Sequence, residues 1–195
     1  FRFFVHDAEH TLRTTAGEGP GIGLDENRVN IGSLTDGYQM IVSDFSSFHP
    51  QWLHFKLSSN AEYRIRFADH VYKHFFNEGC MTPDKVIPLF LTRAQQIDLA
   101  IIGESARWGD TYHDPPRNKD DDRQWAVDDI VNNYFPYRTD IVLGQLKAVN
   151  LYPNIDPPVF SNNTITITVY TVQVEPGYLL KMVNPNSTTG SIRYT

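Results

Sequence analysis

The chain has 195 residues, 41% hydrophobic and 13% aromatic, with a formal net charge of -6 and a pI near 5.6. That much apolar surface suits one main domain with a packed core, because disordered chains lack the burial that offsets ordering entropy. The acidic balance disfavours nucleic acid or an anionic membrane as the main partner, since both attract a basic footprint.

FRFFV reads as a strand, and Asp7 and Glu9 follow it two positions apart. Strand periodicity sends both carboxylates to one face, with His6 and His10 on the other. Two readings stand. Hard oxygen ligands at this spacing suit Mg²⁺, and an acidic turn closing a strand gives the same pattern by chance. From Thr14 to Asp36 the glycines and the absence of periodicity predict a long irregular loop. Its EGPGIG stretch has neither the Walker pattern nor a G-x-G-x-x-G opening a helix, so a flexible loop is expected there. A chain that opens in mid-strand without Met is expected to be a piece of a longer protein. FRFFVHD lacks the pattern of a signal peptide, and no apolar run approaches the ~20 residues of a membrane span.

Helical texture begins at His49, with a short amphipathic turn behind Pro50. Ser59 and Glu62 have capping-box spacing for a second helix, whose stripe is Tyr63, Phe67, Val71 and Phe75, with Gly79 as the stop. His70 and His74 lie one turn apart on it. They do not form H-E-x-x-H, and a polar helix face is preferred to a metal-dependent hydrolase. Cys80, the single cysteine, cannot form an internal disulfide and reads as a small buried hydrophobe. Thr82 and Pro83 start a third helix through Val86, Phe90, Ala94, Ile97 and Ile101, with a kink or late start expected at Pro88.

GESARWGDTYHDPPRNKDDDR is expected to break the helical pattern. Within it Glu104, Arg107, Trp108 and Asp110 crowd a helix end. They form either an Arg ion pair pinning the loop or an exposed binding ridge of Arg107 and Trp108. Asp120, Asp121 and Asp122 are read as the N-cap and dipole complement of the next helix. That helix carries Trp125, Ile130, Val131 and Tyr134, and Pro136 opens a last one with Ile141, Val142, Leu146 and Val149. After the proline-rich linker YPNIDPPVF, TITITVYTV, YLLKMV and SIRYT alternate as strands of a small β unit. No G-x-S-x-G and no paired Cys motif occurs, which removes the commonest hydrolase and structural-zinc readings.

VHDAEHTL, HPQWLHFKLSSNAEYRIRFADHVYKHFFNEGCMTPDKV, ESARWGD, YFPYRTDIVLGQL and GSIRYT, in that order, resemble the C-terminal part of the CotH (spore-coat kinase-like) domain. The likeness is to the variant found in large secreted bacterial proteins and covers about residues 1–158. The last strands resemble the start of the β-sandwich module that follows it. The resemblance implies a D-x-D metal site at Asp7, with Glu9 standing where the family has Asp, and Mg²⁺ and ATP as cofactors of the parent. The phosphate-binding Lys and the base that phosphoryl transfer requires would lie upstream of Phe1.

The expectation is an α+β, mostly helical chain: the helical lobe of an atypical kinase-like fold with a short N-terminal β strand and a small C-terminal β unit. The division falls into 1–158, the lobe, and 159–195, the β-rich tail. The parent would transfer phosphate from ATP to secreted or surface proteins outside the cell or at its envelope. The piece alone would be inactive. The alternative is a non-catalytic extracellular scaffold binding a surface protein or polysaccharide. A Lys and an Asp at suitable upstream positions would favour the kinase.

Overall fold

A computed structural model describes residues 12, 23–27, 29, 50–111, 113–162, 173 and 175–186. Among the described residues the chain is mostly helical, with one small antiparallel sheet. The helices are α1 (Pro50–Leu57), α2 (Ala61–Phe75), α3 (Pro83–Gln96), α4 (Asp98–Trp108), α5 (Gln124–Asp129) and α6 (Phe135–Ala148). Two π-helical turns, Lys119–Arg123 and Ile130–Tyr134, flank α5 and make one helical run with α5 and α6. Strands β1 (Val159–Ser161) and β2 (Lys181–Val183) pair with Phe160 opposite Met182. Val159 and Phe160, which close the proline-rich stretch, thus belong to β1, and YLLKMV contains β2, while TITITVYTV and SIRYT lie outside the described residues. Asn186 ties the sheet to its approach, accepting from Asp156 N–H and donating to the Asp156 carbonyl, both at 2.7 Å. Among the described residues no single helix is long and apolar enough to cross a membrane.

Helix ends show where spacing alone misleads. The N-cap of α2 is Asn60, not Ser59: the Asn60 side chain accepts from Tyr63 N–H at 3.1 Å, while the Ser59 hydroxyl donates back to the Lys56 carbonyl. Asn60 has the extended backbone of a cap residue three positions before Tyr63, and Ser59 is already spent on the end of α1. Gly79 does not stop α2, which ends at Phe75 with Asn77 left-handed at φ 55°. Gly79 is instead needed for close approach, because a Cβ there would sit 2.4 Å from the His74 carbonyl oxygen. Pro83 opens α3 behind Thr82 as expected, but Thr82 donates its hydroxyl to the Gly79 carbonyl instead of capping the helix.

The α3 stripe does not continue to Ile101 as one helix. Pro88 is absorbed inside α3, and the break falls at Ile97, where α3 and α4 meet at 60°. The acidic run supplies the charge of a first turn as expected, with Asp122 accepting from Asn118 N–H at 2.7 Å, but not the N-cap itself. Asn118 accepts from the amides of Asp120 and Asp121, so the aspartates form the first turn of the π-helical segment. The stripe after it also shifts: Val127 and Ile130 are buried while Trp125 is 51% exposed. A π-turn takes in an extra residue and rotates the face that follows, which a fixed 3.6 period misses.

The core gathers Val71 of α2, Leu146 of α6, Leu151 and Tyr152, with Phe67, Phe75, Phe76 and Val142 packed against them. Phe76 stacks on Tyr152 at 5.7 Å between centroids. The end of α6 builds this core. Asn150 is left-handed at φ 59°, Asn150 N–H bonds to Lys147 carbonyl at 3.1 Å, and Leu151 N–H to Leu146 carbonyl at 2.9 Å. That is a Schellman motif, and its Leu146–Leu151 pair is two of the four buried members of the core. Burial pushes the Tyr152 hydroxyl up to about 12. Segment 23–27, predicted to be loose, is held on α6: Arg138 donates to the carbonyls of Leu24 and Glu26, and Gln145 to those of Asp25 and Glu26.

Replacing Asn60 by Ala is expected to lower unfolding stability by about 1 kcal/mol in urea titrations, the usual cost of a lost N-cap, and Ser59→Ala by no more than ~0.5 kcal/mol. Equal effects would contradict the cap assignment.

Candidate functional site

The bend at Ile97 sets the geometry of the face where the polar chemistry collects. Asp98 is the first residue of α4, where its charge complements the positive end of the helix. From the π-turn opposite, Arg123 reaches across the corner. Its guanidinium pairs with the Asp98 carboxylate at 2.9 Å and donates to the Ala94 carbonyl near the end of α3. Lys119 adds contacts to Asp98 at 3.7 Å and Asp120 at 2.5 Å. The hydrogen bond it donates to Asp120 holds the half-buried Lys119 ammonium above the ordinary lysine range.

Beyond this clamp, α4 runs to Trp108, so ESARW is helical rather than part of a loop. Gly103 sits inside the helix, where it weakens the sequence signal without breaking the structure. Gly109 closes the helix, and its carbonyl accepts from Arg117 N–H at 2.9 Å. A Cβ on Gly109 would lie 2.4 Å from the Arg117 carbonyl oxygen and 2.5 Å from that of Ser105. The loop is therefore pinned by backbone packing on a glycine.

Between α4 and the run from Arg117 to Ala126 lies a cleft of about 380 Å³, lined by Ser105, Arg117, Asn118, Asp122, Arg123 and Trp125. Trp108 stands one turn beyond Ser105 on the same face of α4. Its ring is 52% exposed, and the Arg107 guanidinium lies over it at 4.8 Å from the centroid. Arg107 enters no ion pair among the described residues. The cleft thus offers guanidinium donors, a hydroxyl, an amide, the Asp122 carboxylate and the half-exposed Trp125 indole, with Trp108 beside it on α4, a set suited to binding and stacking.

The sequence singled out Arg107 and Trp108 and missed Ser105, Arg117, Arg123 and Trp125. Only the bend at Ile97 and the turn at Gly109 bring these together, and neither has a spacing signature. Asp7 and Glu9, with His6 and His10, lie outside the described residues. His70 and His74 stack at 6.2 Å, and the His74 Nδ1 lies 3.3 Å from the Cys80 sulfur. Cys80 is exposed, contrary to the expectation of burial, because it follows the tight turn at Gly79 on the outside of the α2–α3 connection. Among the described residues no group of three His, Cys, Asp or Glu side chains is placed to hold a metal ion. His54 donates to or accepts from Tyr63 at 2.7 Å, and burial lowers its pKa.

No family model, curated protein or solved structure matches the chain.

Gly109→Ala is expected to destabilise the fold by about 1 to 3 kcal/mol, because the clash is with backbone on both sides. The indole signals of Trp108 and Trp125 should shift with it in heteronuclear NMR. A variant as stable as the parent, with both signals unmoved, would mean that Gly109 does not shape the cleft.

Proposed function

We propose that the chain is the helical lobe of a CotH-like domain from a secreted or envelope-associated bacterial protein, and that its cleft binds the protein acceptor in phosphoryl transfer. The observation that carries the reading is the cleft itself. Arg117 can meet acidic or phosphorylated side chains, Ser105 can satisfy backbone groups, and Trp125 gives apolar surface at the edge, with Trp108 beside it on α4. The sequence blocks that resemble the CotH domain supply the chemistry. In that reading Asp7 and Glu9 hold Mg²⁺ with ATP, and an upstream lobe provides the phosphate-binding Lys and the base. Residues 1–158 are the lobe and 159–195 begin a β-sandwich module.

A second reading, a non-catalytic scaffold for an extracellular polysaccharide, is favoured by the two indoles. Half-exposed rings at 52% and 51% present flat apolar faces to the C–H face of a sugar, with donors beside them for its hydroxyls.

Calorimetry on the chain extended upstream of Phe1 separates the two. Mg²⁺ and ATP are expected to bind together, and Asp7→Ala is expected to weaken that binding at least about a hundredfold, the loss of a charged ligand to the metal. A folded, extended protein that binds neither would end the phosphotransfer reading and leave the scaffold.

A further inference from the structure

Arg123 and Ala126 line a second concavity besides the polar cleft, a groove of about 460 Å³ between α3, α4 and α5. Its walls are Phe90, Ala94, Ile97, Ile101, Val127 and Ile130. The volume lies in the range of small-molecule sites, ~300 to 1,000 Å³. Along α3 the wall runs from Phe90 to Ile97, about 10 Å at the helical rise, which suits a short tail better than a helix of several turns.

Charge narrows the class of ligand. The charged side chains lining the groove are Arg93 and Arg123, with no acid, in a chain whose net charge is -6. The Arg123 charge is met by Asp98 at 2.9 Å. Arg93 donates to the neutral Gln96 Oε1 at 2.7 Å and has no ion pair among the described residues. An apolar trough with one uncompensated guanidinium at its rim is complementary to a ligand with an apolar body and one negative head. We infer that this groove binds a small amphipathic carboxylate of the medium-chain fatty acid class, its tail along the α3–α5 walls and its carboxylate on Arg93. The inference goes beyond the phosphotransfer and scaffold readings and depends on neither, since it rests on Arg93 and the groove walls.

The test is calorimetric titration of the whole chain with decanoate, kept below its micelle concentration, and in parallel with decylammonium. Decanoate is expected to saturate one site and to bind at least about tenfold more tightly than decylammonium, the worth of one charge-assisted hydrogen bond. Arg93→Glu is expected to reverse that order. Arg93 is exposed, so the fold should survive; were it to fail, Arg93→Met should abolish the preference while keeping the apolar contact. Equal affinity for the two amphiphiles, or an order unchanged by Arg93→Glu, would overturn the proposal. So would the absence of saturable decanoate binding, which would mean that another part of the chain or a partner covers the groove.

Discussion

The reach of Arg123 across the α3–α4 corner is the contact on which this face of the molecule depends. One guanidinium meets the Ala94 carbonyl near the end of α3 and the Asp98 carboxylate at the start of α4, from a π-turn that follows both in sequence. A helix end leaves carbonyls without partners, and a helix start favours negative charge. Arg123 answers both at once. Its planar fork serves two acceptors in fixed directions, which a lysine at the same place would not do. With its side chain only 18% accessible, the pair is shielded enough to exceed an ordinary surface ion pair.

From that contact the two concavities follow. The polar cleft is lined from Ser105 to Trp125 and the apolar groove from Phe90 to Ile130, and both include Arg123 and Ala126. The Arg93 charge belongs to the groove and the Arg117 charge to the cleft. The other half of the helical body is held by different means: the Schellman turn at Asn150 folds Leu151 and Tyr152 back onto α2, and Phe76 stacks on Tyr152. Leu99, at 80% exposure, lies outside this core at the α3–α4 corner, while Ile65 of α2 and Leu179 before β2 are exposed elsewhere.

The sequence was legible where local chemistry decides. Pro83 and Pro136 mark helix starts, the Phe67–Val71–Phe75 stripe marks the core face of α2, and the YLLKMV run contains β2. It misled where two local signals compete. Asn60 took the cap that Ser59 and Glu62 advertised, because Ser59 was engaged by α1. Gly103 and Pro88 were absorbed inside helices, while the actual break came at Ile97, which carries no breaker. The site was half legible. Arg107 and Trp108 stand out by type, but Arg117 and Arg123 acquire meaning only from a bend and a glycine contact that bring distant segments together.

The measurement that tests this account most directly is a double-mutant cycle on Arg123 and Asp98, with Arg123→Met and Asp98→Asn alone and together, read by urea unfolding. The account predicts a coupling energy of at least about 1 kcal/mol, with the Trp125 indole signal moving in both single variants. A coupling near zero, with that signal in place, would contradict the claim that this contact sets the corner and the two concavities beside it.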